Sequence, residues 1–204
     1  MVILGAGAAG LFCAAQAGQR GLRVLLIDHA AKLAEKIRIS GGGRCNFTNI
    51  EASPAQFLSG NPQFCRSALA RYSAADFVAL VQRHGIAFHE KHKGQLFCDD
   101  SAEQIIRMLV QECDAGQVTR WQPCRAQDVQ RDAEGWAVST DRGDVHAASV
   151  VIATGGLPVP KIGASDYGLR LAQRLGHRLV EPRAALVPLT FDAKAWAPFV
   201  PMAG

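Results

Sequence analysis

The stretch VILGAGAAG near the amino terminus constrains the fold of this chain more than any other feature. Gly5, Gly7 and Gly10 match the pattern G-x-G-x-x-G between an apolar run and a run of small residues. In a dinucleotide-binding βαβ unit, the first glycine allows a tight turn, the second lets a pyrophosphate approach the backbone, and the third lets the helix pack closely. The pattern therefore predicts strand Val2–Leu4, helix Ala8–Gln19 and a second strand over residues 23–28.

An acidic residue stands where such a unit binds a ribose. Asp28 ends the predicted second strand, eighteen residues after Gly10, where its carboxylate can accept hydrogen bonds from an adenosine ribose. The first helical turn, with Ala8 and Ala9, offers unpaired N–H groups and a partial positive charge to phosphates. Because a carboxylate disfavours a ribose 2′-phosphate, we do not expect NADP at this site.

The layout after Asp28 departs from that of a plain NAD-binding domain, in which further βα units would follow at close spacing. A glycine-rich loop, KIRISGGGRCNFTN (36–49), comes first. The sheet is predicted to resume only at residues 149–153, a β-branched run typical of a buried parallel strand, which ends in Thr154 and Gly155. This interruption favours a flavin-binding, two-domain reductase.

Between these points the pattern predicts helices, short strands and a meander. A helix is expected over 74–84, strands over 86–89 and 95–98, and a helix over 101–113 with a capping box of Ser101 and Gln104. The segments VTRW, CRAQDVQR, GWAVST and DVHAA, separated by turn residues, predict an antiparallel meander from residue 118. A last helix over 165–175 is expected to have Ser165 as its N-cap.

Composition narrows the class of protein. The 204 residues are 49% hydrophobic and 20% charged, which excludes a disordered chain. The net charge of +4 is mild and its cations are scattered, so we expect no nucleic-acid partner. The six cysteines include no C-x-x-C pair and follow no secretory leader, which indicates reduced thiols in the cytoplasm. Apolar runs are too short to span a membrane.

Two groups of reactive residues invite other interpretations. His89, His92 and Cys98 resemble metal ligands, but the pattern lacks a strong fourth ligand, so we expect no metal. Cys45 has no partner at a redox-motif spacing, and we expect it to pack near the cofactor rather than to react.

Four stretches together resemble one family. GAGAAGLFCA, KIRISGGGRCNFTN, VVIATGG and PKIGASDYGLRLAQRLGHRLVEPRAALVPLTF are similar to the BaiN-like (YhiN-like) NAD(P)/FAD-dependent oxidoreductases, which include aminoacetone oxidase-like flavoproteins. The resemblance covers essentially the whole chain. It implies an α/β fold, a Rossmann-like FAD-binding domain of the glutathione reductase type with a helical insertion and an antiparallel β-meander.

The resemblance also implies a binding site. The glycine loop would run beside FAD, with Arg44 neutralising phosphate or reduced flavin; Lys36 is either a second cation or a solvated helix end. Thr154 and Gly155 would lie where the chain returns to the cofactor. The residues expected to bind FAD are Gly5, Gly7, Ala8, Ala9, Gly10, Asp28, Lys36, Ser40, Gly41, Gly42, Gly43, Arg44, Cys45, Asn46, Thr154 and Gly155.

The implied function is an FAD-dependent oxidoreductase. NAD(P)H would reduce the flavin, which would pass electrons to an organic small molecule or to oxygen; no catalytic acid or base is identified. Two alternatives stay open, a tRNA-modifying flavoprotein and a non-catalytic nucleotide-binding redox module. We expect residues 1–186 to be the first part of the FAD-binding domain and 187–204 to begin a second, substrate-binding domain, so that the chain is the amino-terminal portion of a longer protein.

Overall fold

The computed structural model describes residues 1–184 and 192–202. The strands are β1 Val2–Leu4, β2 Leu25–Ile27, β3 Asn46–Asn49, β4 Phe88–Glu90, β5 Gln95–Cys98, β6 Thr119–Trp121, β7 Ala126–Arg131, β8 Trp136–Thr140, β9 Gly143–Ala147 and β10 Val150–Ile152. The α-helices are α1 Ala8–Gln19, α2 Glu35–Ile39, α3 Arg66–Arg71, α4 Ala74–Arg83, α5 Glu103–Ala115, α6 Tyr167–Arg174 and α7 Ala193–Trp196.

A parallel sheet of four strands, in the order β10-β1-β2-β6, forms the centre of the molecule. The predicted βαβ unit is confirmed, since β1 and β2 pair in parallel with Val2 opposite Leu25. Alternate residues of these strands face opposite layers. Ile3 and Leu26 belong to one buried cluster with α1 and α5, whereas Leu4 belongs to a second cluster with the meander.

The helical layer depends on close contact between two helices. A Cβ atom on Gly18 of α1 would lie 2.3 Å from the carbonyl oxygen of Gly116, which caps the carboxyl end of α5. Leu11 of α1 and Met108 of α5 are buried in the same cluster. Because both helices pack on the parallel sheet, their contact fixes the position of the amino end of α1 relative to β1 and β2.

The opposite layer is the predicted meander, in the antiparallel order β7-β8-β9, with Val129 and Val138 at its buried centre. One segment assigned to it is placed elsewhere. The segment VTRW contains β6 (Thr119–Trp121), which belongs to the parallel sheet and not to the meander. β6 pairs in parallel with β2, with Thr119 opposite Leu25. The reason is that α5 acts as a crossover and returns the chain to the parallel sheet.

A third sheet and the helix starts also differ from expectation. β3, within the predicted loop, pairs with β5 in the order β3-β5-β4. Ser101 and Gln104 form no capping box: the Ser101 hydroxyl accepts the Glu103 N–H at 3.2 Å, and the Gln104 amide reaches Asp100. α6 begins after Asp166 rather than Ser165.

The strand predicted to be buried, residues 149–153, is β10, and it forms one edge of the parallel sheet. Ile152 is consequently 36% exposed. The predicted domain boundary between residues 186 and 187 lies outside the described residues. The α/β class, the parallel sheet and the meander are as predicted.

Candidate functional site

The three glycines of the first turn have distinct surroundings. Gly5 has φ +101°, and a Cβ there would lie 2.5 Å from the carbonyl oxygen of Ala153. On Gly10 it would lie 1.7 Å from the carbonyl oxygen of Gly5, whereas on Gly7 it would meet no atom within 4 Å. Gly5 and Gly10 therefore allow close packing of strands and helix, and Gly7 faces open space at the amino end of α1. The first-turn N–H groups of α1 have no intrahelical acceptor.

Asp28 connects the end of β2 to this turn. Its carboxylate accepts the N–H of Ala6 at 2.6 Å and the N–H of Ala30 at 2.7 Å. Its side chain is 13% exposed. Because each carboxylate oxygen has two lone-pair positions, both oxygens can still accept a hydroxyl. The arrangement fits a ribose next to the glycine turn.

A cleft of about 980 Å³ opens at the carboxyl ends of β1, β2 and β10. Its volume is at the upper end of the range for ligand pockets. Most of the predicted cofactor residues line it: Gly5, Gly7, Ala8, Ala9, Asp28, Lys36, Ser40, Cys45, Asn46, Thr154 and Gly155. The structure thus brings together residues that are up to about 150 positions apart in the sequence, as expected where the carboxyl ends of parallel strands meet.

The remaining predicted residues, Gly10, Gly41, Gly42, Gly43 and Arg44, do not line this cleft. Residues Ser40–Gly43 form a 3-10 turn that packs on β5, where a Cβ on Gly41 would lie 2.8 Å from the Phe97 ring. The carbonyl of Gly43 accepts the N–H of Ala102 at 2.7 Å, and that of Arg44 accepts the N–H of Cys98 at 2.9 Å. Gly41 therefore packs on Phe97, whereas a Cβ on Gly42 or Gly43 would meet no atom within 4 Å, and the two ends of the loop face the cleft.

Two cations occupy different positions relative to the cleft. Lys36 lines it, together with Lys32, and neither side chain has an ion-pair partner among the described residues. The neighbouring carboxylate of Glu35 is instead paired with Arg38. Arg44 is exposed outside the lining. Of the cations proposed from sequence, Lys36 is the one positioned to meet an anionic group in the cleft.

The thiols beside the cleft are buried. Cys45, with φ 52°, is 5% exposed, and burial raises the pKa of its thiol. Cys98, also buried, has its pKa raised to about 11, chiefly by burial. Both groups are therefore protonated at neutral pH, which disfavours nucleophilic chemistry and favours packing.

An aromatic wall that the sequence did not reveal also lines the cleft. Phe12, Phe47, Tyr72 and Phe77 line it, with the rings of Phe12 and Tyr72 4.8 Å apart and those of Phe47 and Phe77 6.1 Å apart. Their spacing along the chain is that of ordinary core residues. No pattern in the sequence distinguishes a ring that closes a core from one that faces a cleft.

A smaller recess of about 230 Å³ continues from the cleft past Asp28. Tyr167 and Arg125 line it, and Thr154 lines both cavities. The Oγ1 atom of Thr154 and the Oη atom of Tyr167 are buried and have no hydrogen-bond partner. A buried hydroxyl without a partner is costly, so both atoms keep an unused capacity for a hydrogen bond beside the recess.

Within residues 1–184 and 192–202, no group of three or more potential metal ligands comes together. The His89 ring pairs with Asp99 at 2.7 Å instead of facing His92. In the same part of the chain, no helix has the length and apolar content needed to cross a membrane.

Residues 1–190 match the model of the HI0933-like protein Rossmann domain. The chain belongs to this family. It is 52% identical over 189 residues to the ribosomal RNA dihydrouridine synthase of Escherichia coli, covering 93% of this chain and 47% of the relative. It is 45% identical over 194 residues to the protein of the same name from Haemophilus influenzae, covering 93% and 48%. A 3-dehydro-bile acid delta(4,6)-reductase of Clostridium scindens is 26% identical over 92% of this chain and 46% of that protein.

Solved structures confirm the Rossmann-like fold class of this HI0933-like chain. Glycine oxidase from Geobacillus kaustophilus superposes with a TM-score of 0.57 at 17% identity, over 87% of this chain and 58% of that one. L-proline dehydrogenase from P. horikoshii superposes with a TM-score of 0.59 at 11% identity, over 89% and 56%. The chain spans about half the length of the curated relatives it matches.

These relatives confirm the predicted family and its enzymatic character, but they overturn two expectations. The expected small-molecule partner, with no nucleic acid, is wrong, because the relatives at 52% and 45% identity are named for ribosomal RNA. The main functional prediction, a general oxidoreductase passing electrons to a small organic molecule or oxygen, is wrong for the same reason. The alternative of a tRNA-modifying flavoprotein agrees with these names better than the main prediction does, although the RNA that they name is ribosomal. The mild, scattered positive charge of the chain gave no indication of the RNA for which these relatives are named.

Proposed function

We propose that the protein containing this chain is a flavin-dependent enzyme that reduces uridine in ribosomal RNA to dihydrouridine. The observation that carries the proposal is 52% identity over 93% of the chain to a ribosomal RNA dihydrouridine synthase. Cytoplasmic location, expected from the cysteine content, agrees with a ribosomal RNA substrate.

The cleft fits FAD as its cofactor. The amino end of α1 and the open space at Gly7 suit a pyrophosphate, and Asp28 suits the adenosine ribose. The unpartnered Oγ1 of Thr154 supplies a further polar group. We assign the lining residues predicted from sequence to this cofactor and propose Lys36 as the cation nearest its phosphates.

In this proposal the residues of the chain bind the cofactor, orient it and exclude water from the cleft. FAD, once reduced by its electron donor, would supply the hydride that, together with a proton, reduces the C5–C6 double bond of uracil and leaves the flavin oxidised. Asp28 and the amino terminus of α1 supply polar groups to the cleft, while Phe12 and Tyr72 supply an apolar wall. We propose NADH or NADPH as the electron donor to the cofactor.

The rest of the protein completes the substrate site in this proposal. Residues 1–186 are assigned to the first part of the FAD-binding domain, and 187–204 to the start of a second domain. Half of the relatives' length lies beyond the matched region.

The test is measurement of dihydrouridine in ribosomal RNA. Each ribosomal RNA species from cells lacking the gene is gel-purified, digested to nucleosides and analysed by mass spectrometry. We expect dihydrouridine to be lost, to return with the wild-type gene, and to stay absent with Asp28→Ala. An unchanged dihydrouridine content in the deleted strain would refute the proposal. The purified full-length protein should be yellow, and NADH or NADPH should bleach it without oxygen.

A further inference from the structure

We propose that residues 50–72, here called the insertion, bind a single-stranded segment of the substrate RNA and lead it to the cleft. This inference rests on the proposed function and adds to it the surface of this chain that contacts RNA. The insertion comprises the 3-10 turn Pro54–Gln56, helix α3 and the connections around them.

The insertion exposes large apolar side chains that a free surface does not favour. Leu58 is 93% exposed and Phe64 is 84% exposed, the two highest values for large apolar side chains in the described part of the chain. Ile50 and Phe57 are also exposed. Exposed apolar side chains grouped in one short segment indicate a binding surface.

Cations accompany these apolar side chains. The insertion contains Arg66 and Arg71 but one carboxylate, Glu51. Arg66 contacts the neutral Gln63 at 3.2 Å, and neither arginine pairs with a carboxylate of the described residues. The insertion therefore presents positive charge that its own fold does not neutralise.

The turn between β4 and β5 adds two lysines to the same surface. The N–H of Ile50 donates to the carbonyl of Gly94 at 2.9 Å, and the Asn49 amide donates to the carbonyl of Lys93 at 2.7 Å. These bonds hold the turn containing Lys91 and Lys93 against the first residues of the insertion. Lys91 lies 5.5 Å from the centre of the Phe97 ring, and neither lysine has a carboxylate partner within the described ranges.

The insertion also forms part of the cleft. Phe57, Leu69 and Tyr72 line it, and the Tyr72 ring packs on Phe12 of α1. Phe57 is half exposed as well, so it belongs both to the outer surface and to the cleft. A strand bound across the insertion is thus next to the place where its uracil must be reduced.

The combination of rings and cations favours RNA over a protein partner. Single-stranded nucleic acids bind to grooves in which aromatic side chains stack on bases and cations contact phosphates. An uncharged protein segment packed on Leu58 and Phe64 would cover the apolar surface but would leave the four cations unneutralised, whereas RNA carries a phosphate at every nucleotide. Net charge alone concealed this surface because the cations are separated along the sequence.

The experiment measures RNA binding by the full-length, FAD-loaded protein. A fluorescein-labelled, 20-nucleotide single-stranded RNA of mixed sequence is titrated by fluorescence anisotropy at several NaCl concentrations. We expect Phe64→Ala to weaken binding about tenfold through lost stacking. We expect the double change Arg66→Gln and Arg71→Gln to reduce the slope of log K against log salt by about two.

The matched control removes equal charge elsewhere. Arg20 and Arg23 are exposed near the amino end of β2, whereas the cleft lies at the carboxyl ends of the strands. Their joint change to glutamine should leave the slope unchanged. Unchanged melting temperature and flavin content show that each variant is folded.

The outcomes separate this inference from the proposed function. If the wild type binds the RNA and the insertion variants bind it equally well, the insertion is not the RNA surface, and the proposed function stands. If Phe64→Ala instead changes the mass of the protein in solution with no change in RNA affinity, the surface binds protein and the inference is overturned. A wild type that neither binds RNA nor restores dihydrouridine overturns both.

Discussion

A Cβ atom on Gly10 would lie 1.7 Å from the carbonyl oxygen of Gly5, so α1 and β1 pack at a distance that only glycine allows. We expect Gly10→Ala to lower the free energy of unfolding by about 3 kcal/mol or more, because backbone on both sides must move. Chemical denaturation of the full-length protein measures this loss.

Gly7→Ala is the matched control. A Cβ at Gly7 meets no atom within 4 Å, and its φ of −82° suits alanine, so we expect stability within about 0.5 kcal/mol of wild type. FAD binding should nevertheless weaken, because the methyl group enters the space proposed for the pyrophosphate. Equal loss of stability in both variants would contradict this division of roles.

Thr154→Val should have opposite effects on stability and on cofactor binding. The Oγ1 of Thr154 is buried without a partner, so removing it should stabilise the FAD-free protein by up to about 1 kcal/mol. The same change should weaken FAD binding, since we propose that this hydroxyl bonds the cofactor. Denaturation without FAD and titration with FAD measure the two effects.

Thr140→Val provides the comparison, because this buried hydroxyl is satisfied. It donates to the carbonyl of Gly143 at 2.7 Å and accepts the N–H of Arg142 at 3.0 Å. We expect a loss of about 1 to 3 kcal/mol of stability and no change in FAD affinity. A stabilised Thr140→Val would show that hydrogen-bond satisfaction does not distinguish the two sites.

Asp28→Asn should weaken FAD binding and destabilise the glycine turn. Both carboxylate oxygens accept backbone N–H groups, from Ala6 and Ala30, and an amide can accept only one of them. The remaining N–H would face a donor, at a cost of about 1 to 3 kcal/mol. Asp132→Asn, in the meander and remote from the cleft, should leave flavin content at the wild-type value.

Protonation of Glu112 should weaken the contact between α1, α4 and α5. The pKa of Glu112 is lowered by hydrogen bonds from Gln19, 2.7 Å away, and from His84. A lowered carboxyl pKa means that the stabilisation is present above the unfolded value of about 4.5 and is lost as pH falls through the folded value. Urea denaturation at pH 6 and below pH 4.5 should therefore show a smaller pH dependence for Glu112→Gln.

Asp114→Asn is the control on the same helix, since Asp114 is 55% exposed and pairs only with Arg120 in the described residues. The free energy of unfolding of Asp114→Asn should vary with pH as that of the wild type does. The idea fails if Glu112→Gln retains the full acid sensitivity.

Local signals in the sequence predicted the elements that depend on local geometry. The pattern of Gly5, Gly7 and Gly10 predicted β1 and α1 with their observed bounds. It could do so because the steric requirement for each glycine arises within one turn of the chain. Asp28 was likewise recognised from its distance to Gly10. Gly5, Gly7 and Asp28 line the cleft and Gly10 packs beneath its turn, while their binding of a cofactor stays a prediction.

Elements defined by distant pairing were not predictable in this way. Three residues of β6 carry no period that distinguishes a parallel partner, β2, from an antiparallel one. β3 acquires its strand conformation from β5, about fifty residues later. For the same reason the loop was expected to turn all its glycines toward the cofactor, although Gly41 packs on Phe97.

The contact between Gly5 and the segment Ala153–Thr154 has a consequence for synthesis of the protein. The turn that begins the cofactor site is made within the first ten residues, yet its wall is supplied about 150 residues later. The carbonyl of Gly43 likewise gains its hydrogen-bond donor, the N–H of Ala102, only after a further stretch of chain has been made. During synthesis the Gly5–Gly10 turn therefore lacks this wall until β10 has been translated and paired, and the flavin site that we propose is complete only then.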